Sequence, residues 1–198
     1  YYTGIYVKSD VYKSINYLQL AVNHEMPEAQ YDLGVIYYEG KHIPRDINKS
    51  LHYFSMAANK NYAKAQYTLG IIFFEGEYVL RDVNKAIYFY QLAAKQNYPF
   101  ATYTLGSIYY EGKYIKADIN KGMYYLLLSA EKNYPSAQYK IGCIYYNNNS
   151  NDLEQIKKGQ KYIFRSATNG NKLANFVCGY IYHEGRTVKQ DINIAIRY

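Results

Sequence analysis

Two kinds of amphipathic segment alternate along the chain. Between Ala65 and Gly76, the residues Ala65, Leu69, Ile72 and Phe73 share one helical stripe, while Tyr67, Gly70, Ile71 and Phe74 occupy the neighbouring one. Only Lys64, Thr68 and Glu75 form a polar strip. This pattern predicts a helix, here helix A, that is apolar around most of its circumference and must be covered on several sides. The next segment sets Val83, Ala86, Ile87, Tyr90, Ala93 and Ala94 against polar Asn84, Tyr88, Gln91 and Lys95 at i, i+4, i+7 and i+11. It predicts a surface helix, helix B, with one face in water.

The punctuation between these segments fits a helix hairpin. Gly76 supplies the left-handed residue that closes helix A. After a short connector, the Asp82 carboxylate caps the free amides of helix B, and Asp10, Asp46, Asp118 and Asp191 repeat the device. Asn61, Asn97, Asn133 and Gly170 share the turn register after helix B, where a left-handed backbone is best tolerated. Pro27, Pro99 and Pro135 share a register two residues on, which suits the first turn of the next helix A.

The hairpin recurs. Ala29 to Gly40 returns as Ala65 to Gly76 and again as Ala101 to Gly112, with a weaker copy from Ala137 and a fifth from Ala174 to Gly185. The glycines Gly34, Gly70, Gly106, Gly142 and Gly179 step by 36, 36, 36 and 37 residues. Such a period marks a repeat architecture. It predicts an all-α solenoid of antiparallel helix hairpins: a partial repeat 1–25, repeats 26–61, 62–97, 98–133 and 134–170, and a partial repeat 171–198. A glycine inside a helix costs roughly 1 kcal/mol against alanine, so its recurrence calls for close approach by the partner helix. The fourth copy departs from the pattern, with Asn147-Asn148 in place of Glu-Gly and one extra connector residue, which predicts a longer loop. At the ends, Tyr1-Tyr2-Thr3-Gly4 matches Tyr37-Tyr38-Glu39-Gly40, and Asp191 to Tyr198 covers the first turns of a helix B. Neither end has a polar capping repeat, so the chain reads as an excerpt of a longer protein, with apolar half-repeats that favour association.

The pattern Ala-x-x-x-Leu-Gly-x-x-Tyr-x-x-Gly, then Asp-x-x-Lys and an Ala-Ala helix end, resembles the Sel1-like repeat, a relative of the tetratricopeptide repeat. Its best matches are Ala65, Leu69, Gly70, Phe73, Gly76, Asp82, Lys85, Ala86, Ala93 and Ala94. The resemblance covers essentially the whole chain. It implies right-handed superhelical stacking with helix A on the concave side. It also implies scaffolding, including adaptor roles in endoplasmic-reticulum-associated degradation and in signalling. A bacterial branch with paired cysteines in each repeat is not matched. The lysine of Asp-x-x-Lys is unexpected physically, because the first turn of a helix disfavours a cation; a neighbouring aromatic covered by its aliphatic stem is one account.

Composition changes this picture little. The chain has 29 tyrosines and no tryptophan; abundant Tyr, Asn, Ile and Lys also follow from an AT-rich genome. The net charge of +7 permits an acidic partner without requiring one. Lys49, Lys85 and Lys121 recur once per repeat and read first as a solvated ridge. Cys143 and Cys178 sit in different registers and suggest no disulfide, which favours a reducing, intracellular setting, with the endoplasmic-reticulum lumen the other option. Asn48-Lys49-Ser50 and Asn148-Asn149-Ser150 are sequons of the kind that arise by accident. No apolar run approaches the ~20 residues of a membrane span.

Catalytic signals are weak. His24, His42, His52 and His183 fall in four registers, and no metal-ligand spacing or phosphate loop is present. No cofactor and no enzymatic activity are expected of this segment. Glu39, Glu75, Glu111 and Glu184 recur at the end of helix A and read as pairing with connector lysines or arginines ahead of an acidic row gripping a basic peptide. The candidate partner-binding residues are two aromatic registers. One is Tyr31, Tyr67, Tyr103, Tyr139 and Phe176; the other is Tyr38, Phe74, Tyr110, Tyr146 and His183. For the first, groove and inter-repeat core are both open readings. Glu28, Lys64, Phe100 and Ser136 would tune specificity. These residues predict a non-catalytic scaffold that holds a protein or peptide along helix A. The alternatives are single-stranded RNA binding and a docking module for a catalytic domain outside the segment.

Overall fold

The Asp caps and left-handed glycines divide the chain where the sequence places them. The computed structural model describes residues 10–147, 152–185 and 187–198. Two units divide at Tyr98 and Pro99. In the first, α1 (Val11–Asn23), α3 (Ile47–Asn59) and α5 (Val83–Lys95) are B helices, and α2 (Pro27–Glu39) and α4 (Ala63–Glu75) are A helices. In the second, α6 (Pro99–Glu111), α8 (Pro135–Tyr146) and α10 (Lys172–Glu184) are A helices, and α7 (Ile119–Glu131), α9 (Leu153–Thr168) and α11 (Ile192–Arg197) are B helices. The described residues contain no strand. The Tyr1-Tyr2-Thr3-Gly4 match, Asn148 and the Asn148-Asn149-Ser150 sequon lie outside them.

Each cap works locally. Asp10, Asp46, Asp82 and Asp118 accept from the backbone N–H three residues on, and Asp191 from that of Ile194. The backbone N–H of Asp46, Asp82, Asp118 and Asp191 in turn donates to the carbonyl of Tyr37, Phe73, Tyr109 and Tyr182, which ties each connector to its own helix A. Gly40, Gly76, Gly112 and Gly185 take positive φ at the end of helix A. Asn61, Asn97, Asn133 and Gly170 do so after helix B, and Glu25 fills the same register in the first turn. In the fourth hairpin, Asp152 caps α9 through the N–H groups of Glu154 and Gln155, and that helix has 16 residues where other complete B helices have 13. The longer loop expected from the sequence is therefore not found: six residues, 147–152, separate α8 from α9, against seven in each of the other hairpins, and the extra length is helix.

The recurrent glycine of helix A is a contact point. A Cβ on Gly34 or Gly70 would stand 2.6 or 2.5 Å from the ring of Phe54 or Tyr90. At Gly106 and Gly142 the obstructing side chains are Leu126 and Ile163 in the same register, at 2.7 and 2.6 Å. Around these contacts Ala65, Leu69, Ile72, Phe54 and Ala57 form the core of the first unit, and Ile163, Ala174, Cys178 and Ile181 form that of the second.

A buried amide joins consecutive repeats. Gln66 and Gln138 donate to the Ala58 and Ala130 carbonyls at 3.1 Å, helix-end acceptors that also take the turn N–H groups of Asn61 and Asn133. Their Oε1 atoms accept from Gln96 at 2.8 Å and Asn169 at 2.9 Å. In the earlier repeat Lys60 occupies that donor register but binds Glu25 at 2.6 Å, and the buried Gln30 Oε1 has no partner. Lys60→Gln should restore the missing bond and raise stability by about 1 kcal/mol, read as an increased urea midpoint at constant slope. An unchanged or lowered midpoint would show that the ion pair outweighs the amide.

The lysine of Asp-x-x-Lys has a physical explanation. Lys49, Lys85 and Lys121, and Lys158 in the same register of α9 where Gln155 replaces the aspartate, place their ammonium groups 5.1, 4.0, 4.1 and 4.5 Å from the ring centroids of Tyr37, Phe73, Tyr109 and Tyr145. Those rings stack on Tyr53, Phe89, Tyr125 and Tyr162 of the facing helix B. Cation–π attraction of about 0.5–1 kcal/mol at such exposed sites offsets the unfavourable helix dipole. The tyrosine richness thus serves the hairpins themselves, and the repeat junctions too, where Tyr62, Tyr98 and Tyr134 meet Tyr31, Tyr67 and Tyr103.

Candidate functional site

Helix A packs against its hairpin partner and its neighbours, and on each helix A one line of positions stays accessible. In the first unit it comprises Glu28, Asp32, Val35 and Glu39 on α2, and Lys64, Thr68, Ile71 and Glu75 on α4. In the second it comprises Phe100, Thr104, Ser107 and Glu111 on α6, Ser136, Lys140 and Cys143 on α8, and Leu173, Val177, Tyr180 and Glu184 on α10. The spacing i, i+4, i+7, i+11 puts each set on one helical face. Next to this line the sequence is uniform: Ala29, Ala65, Ala101, Ala137 and Ala174 are all buried. Along the line, Glu28, Lys64, Phe100, Ser136 and Leu173 share a register and no chemistry.

The line in the first unit is acidic, with Glu28, Asp32, Glu39 and Glu75 against Lys64. Burial pushes the Asp32 carboxyl above its ordinary range, Lys64 opposes that, and Glu28 adds to it. Lys64 also lies 4.6 Å over the Tyr31 ring. In the second unit Lys140 binds the Ser107 hydroxyl at 3.0 Å and the Glu111 carboxylate, which neutralises the line locally.

The sequence-predicted residues divide into three places. Glu28, Lys64, Phe100 and Ser136 are on the accessible line. The register of Tyr31, Tyr67, Tyr103 and Tyr139 lies at repeat junctions: Tyr31 is buried against Phe54 and Tyr62, with its hydroxyl 3.5 Å from that of Thr68, while the others are half-buried. Phe176, in that register on the last helix A of the chain, is exposed. Tyr38, Phe74, Tyr110 and Tyr146 are half-buried at the end of helix A. There Tyr38 meets Phe54 and, edge-on, Tyr78 of the next connector, and the Arg81 guanidinium lies 5.3 Å over Phe74. Asp32, Val35, Thr68, Ile71, Thr104, Ser107 and Lys140 were not among the binding candidates read from the sequence, although Thr68 stood in its polar strip. The signal was present, since they fall one and two turns after Glu28, Lys64, Phe100 and Ser136.

The recurring acids pair in different ways. Glu39 binds the connector Lys41 at 3.1 Å, Glu111 binds Lys140 of the next repeat, and Glu184 lies 3.4 Å from His183. No group of His, Cys, Asp and Glu suited to a metal occurs among the described residues. Both cysteines are free, and burial pushes the Cys143 thiol up and the Cys178 thiol up to about 12 from 9.0. The unfolded state loses the Cys178 proton first, so this thiol contributes stability below pH 9 that is lost as pH rises towards 12. Iodoacetamide at pH 7.5 should alkylate Cys178 only on unfolding; rapid labelling of the folded chain would contradict its burial. No described helix is long and apolar enough to cross a membrane.

Comparison with known proteins agrees with this architecture. The Sel1 repeat pattern matches residues 1–25, 27–62, 63–98, 99–134, 135–171 and 172–198. No curated protein shows significant sequence similarity to the chain. Among solved structures, a Sel1 repeat protein from Oxalobacter formigenes is 31% identical with a TM-score of 0.88, and the match covers 100% of this chain and 80% of that one. The protein c5321, a protective antigen of uropathogenic Escherichia coli strains displaying an SLR fold, is 27% identical with a TM-score of 0.83, over 92% of this chain and 39% of that one. The immunity protein Pa5087 from Pseudomonas aeruginosa, at 21% identity and a TM-score of 0.59 over 93% of this chain and 70% of that one, shares the fold. The chain belongs to the Sel1 repeat family, a helical-repeat fold that generally serves as a protein-interaction scaffold.

Proposed function

We propose that this chain is a scaffold without catalysis of its own, which holds a partner polypeptide along the accessible line of helix A. The observation that supports this reading is the contrast between neighbouring registers. Positions that build the repeat keep their chemistry from copy to copy, and the accessible positions beside them, apart from the Glu39, Glu75, Glu111 and Glu184 register, do not. A surface that only needed solvation would require no apolar members, yet Val35, Ile71, Phe100 and Leu173 stand on it among the charges. Apolar anchors within a polar rim are the usual composition of a protein interface. In the first unit the acids select a partner segment carrying lysine or arginine.

The test is capture of partners with the chain as bait, with and without nuclease, followed by affinity measurement on each recovered protein. Asp32→Lys with Glu28→Lys should weaken binding at least about tenfold through charge reversal, while the exposed helix B control Tyr88→Ala leaves it unchanged. Equal binding by both variants would remove the helix A reading. Capture that disappears with nuclease, and falls steeply with salt, would favour RNA.

A further inference from the structure

We infer that the second unit carries another docking site, on its helix B side, for an acidic polypeptide segment. A cavity of about 520 Å³ lies beside α9, lined by Lys157, Lys161, Phe164 and Arg165 together with Asn133 and Asn169 from the flanking turns. The first unit has a cavity of about 580 Å³ at the corresponding place beside α3. Residue by residue, Lys161 corresponds to His52, Arg165 to Met56, Asn169 to Lys60 and Asn133 to Glu25. The repeat backbone produces the cavity twice, and the side chains give each copy its own chemistry.

In the first unit the cavity carries its own counter-charge, because Lys60 is bound to Glu25. In the second, asparagine stands where Glu25 does, and no acidic residue lines the cavity. The Asn133 Oδ1 accepts from the Arg165 guanidinium at 3.1 Å, which orients the cation without neutralising it. Lys157, Lys161 and Arg165 follow at i, i+4 and i+8, about 6 Å apart per step along one face of α9. Carboxylates one turn apart on a helix, or on alternate residues of a strand at about 6.6–6.8 Å, match that spacing. Phe164 supplies an apolar wall for a residue between the acids. Tyr182 stacks on this ring at 5.7 Å and the ring is half-buried, so it lacks the open platform that stacked bases use. This favours a peptide over a nucleic acid. The site is separate from the helix A line, and either can fail alone.

The test is selection of peptides from a random display library on the intact chain, with individual clones then measured against K157E/K161E/R165E. All three positions are exposed, and matching circular dichroism and urea midpoints establish that the variant folds; if the triple variant is destabilised, K157E/K161E replaces it. The expected clones carry Asp or Glu at two- or four-residue spacing around an apolar residue. They should bind the variant at least about tenfold more weakly, and bind the helix A variant E28K/D32K unchanged. Selected peptides without acids, or acidic ones that bind the charge-reversed chain equally, would overturn the proposal. Oligouridylate that binds the chain and is lost in the same variant, with no acidic clones recovered, would also overturn it by making the site a phosphate reader.

Discussion

Phe54→Ala is expected to destabilise the first unit by about 3–5 kcal/mol. The ring is 1% exposed and lies where α3 meets α2. Its centroid is 5.4 Å from that of Tyr31 and 6.4 Å from that of Tyr38, and it fills the hollow that Gly34 leaves in helix A. Removing it takes a wall from the core formed with Ala57, Ala65, Leu69 and Ile72, and those neighbours are anchored in two rigid helices that cannot collapse far into the space. The relevant measurement is urea unfolding with amide exchange read on α2, α3 and α4. Phe54→Leu is the internal comparison. Leucine already stands in this register as Leu126 against Gly106, so a smaller loss of about 1–2 kcal/mol is expected. If leucine cost as much as alanine, the ring contacts themselves, and not the filled volume, would be the stabilising element.

Gly159→Ala should rank second, and its sign is the informative part. In an exposed helix interior this exchange gains about 1 kcal/mol from propensity. Here the added methyl would stand 2.4 Å from the Tyr146 backbone nitrogen and 2.7 Å from the Gly142 carbonyl oxygen. Neither atom can rotate aside as a side chain does, so α8 and α9 must separate. Overpacking of this kind costs about 1–3 kcal/mol and occasionally more. A net loss of about 2 kcal/mol is therefore expected, seen as a lowered unfolding midpoint. The same register holds Ser14, Ser50 and Ala86 in the first unit and Gly122 in the second. A second change at Gly142 cannot relieve the clash of Gly159→Ala with the Tyr146 nitrogen. A stabilised Gly159→Ala chain would show that the two helices are less tightly apposed than this contact requires.

Sequence alone determined the hairpin, its period and its turns, because these depend on interactions within a few residues. An aspartate caps the turn that follows it, a glycine or asparagine takes the left-handed position where it stands, and apolar spacing fixes which face is covered. The role of Gly34, Gly70, Gly106 and Gly142 was also foreseeable, since a recurrent helix-interior glycine has little reason to exist without a close neighbour. Tertiary structure decided which side chains meet across a hairpin and between repeats. It alone placed the Lys85 ammonium over Phe73, Gln96 on the buried Gln66, and Tyr62 against Tyr31. The sequence suggested an aromatic beside the lysine without saying which one, and it carried no mark of the other two pairings, each of which joins a helix to the cap of another. The same limit applied to the surface. Aromatic registers looked alike in the sequence, but packing between repeats covered Tyr31 and left Glu28, Asp32, Lys64 and Thr68 accessible. The helix B cavities were not legible at all, because they arise from spaces between successive hairpins and from the difference between Glu25 and Asn133 at one turn position. Local chemistry is written along the chain, whereas exposure depends on which neighbour arrives to cover it.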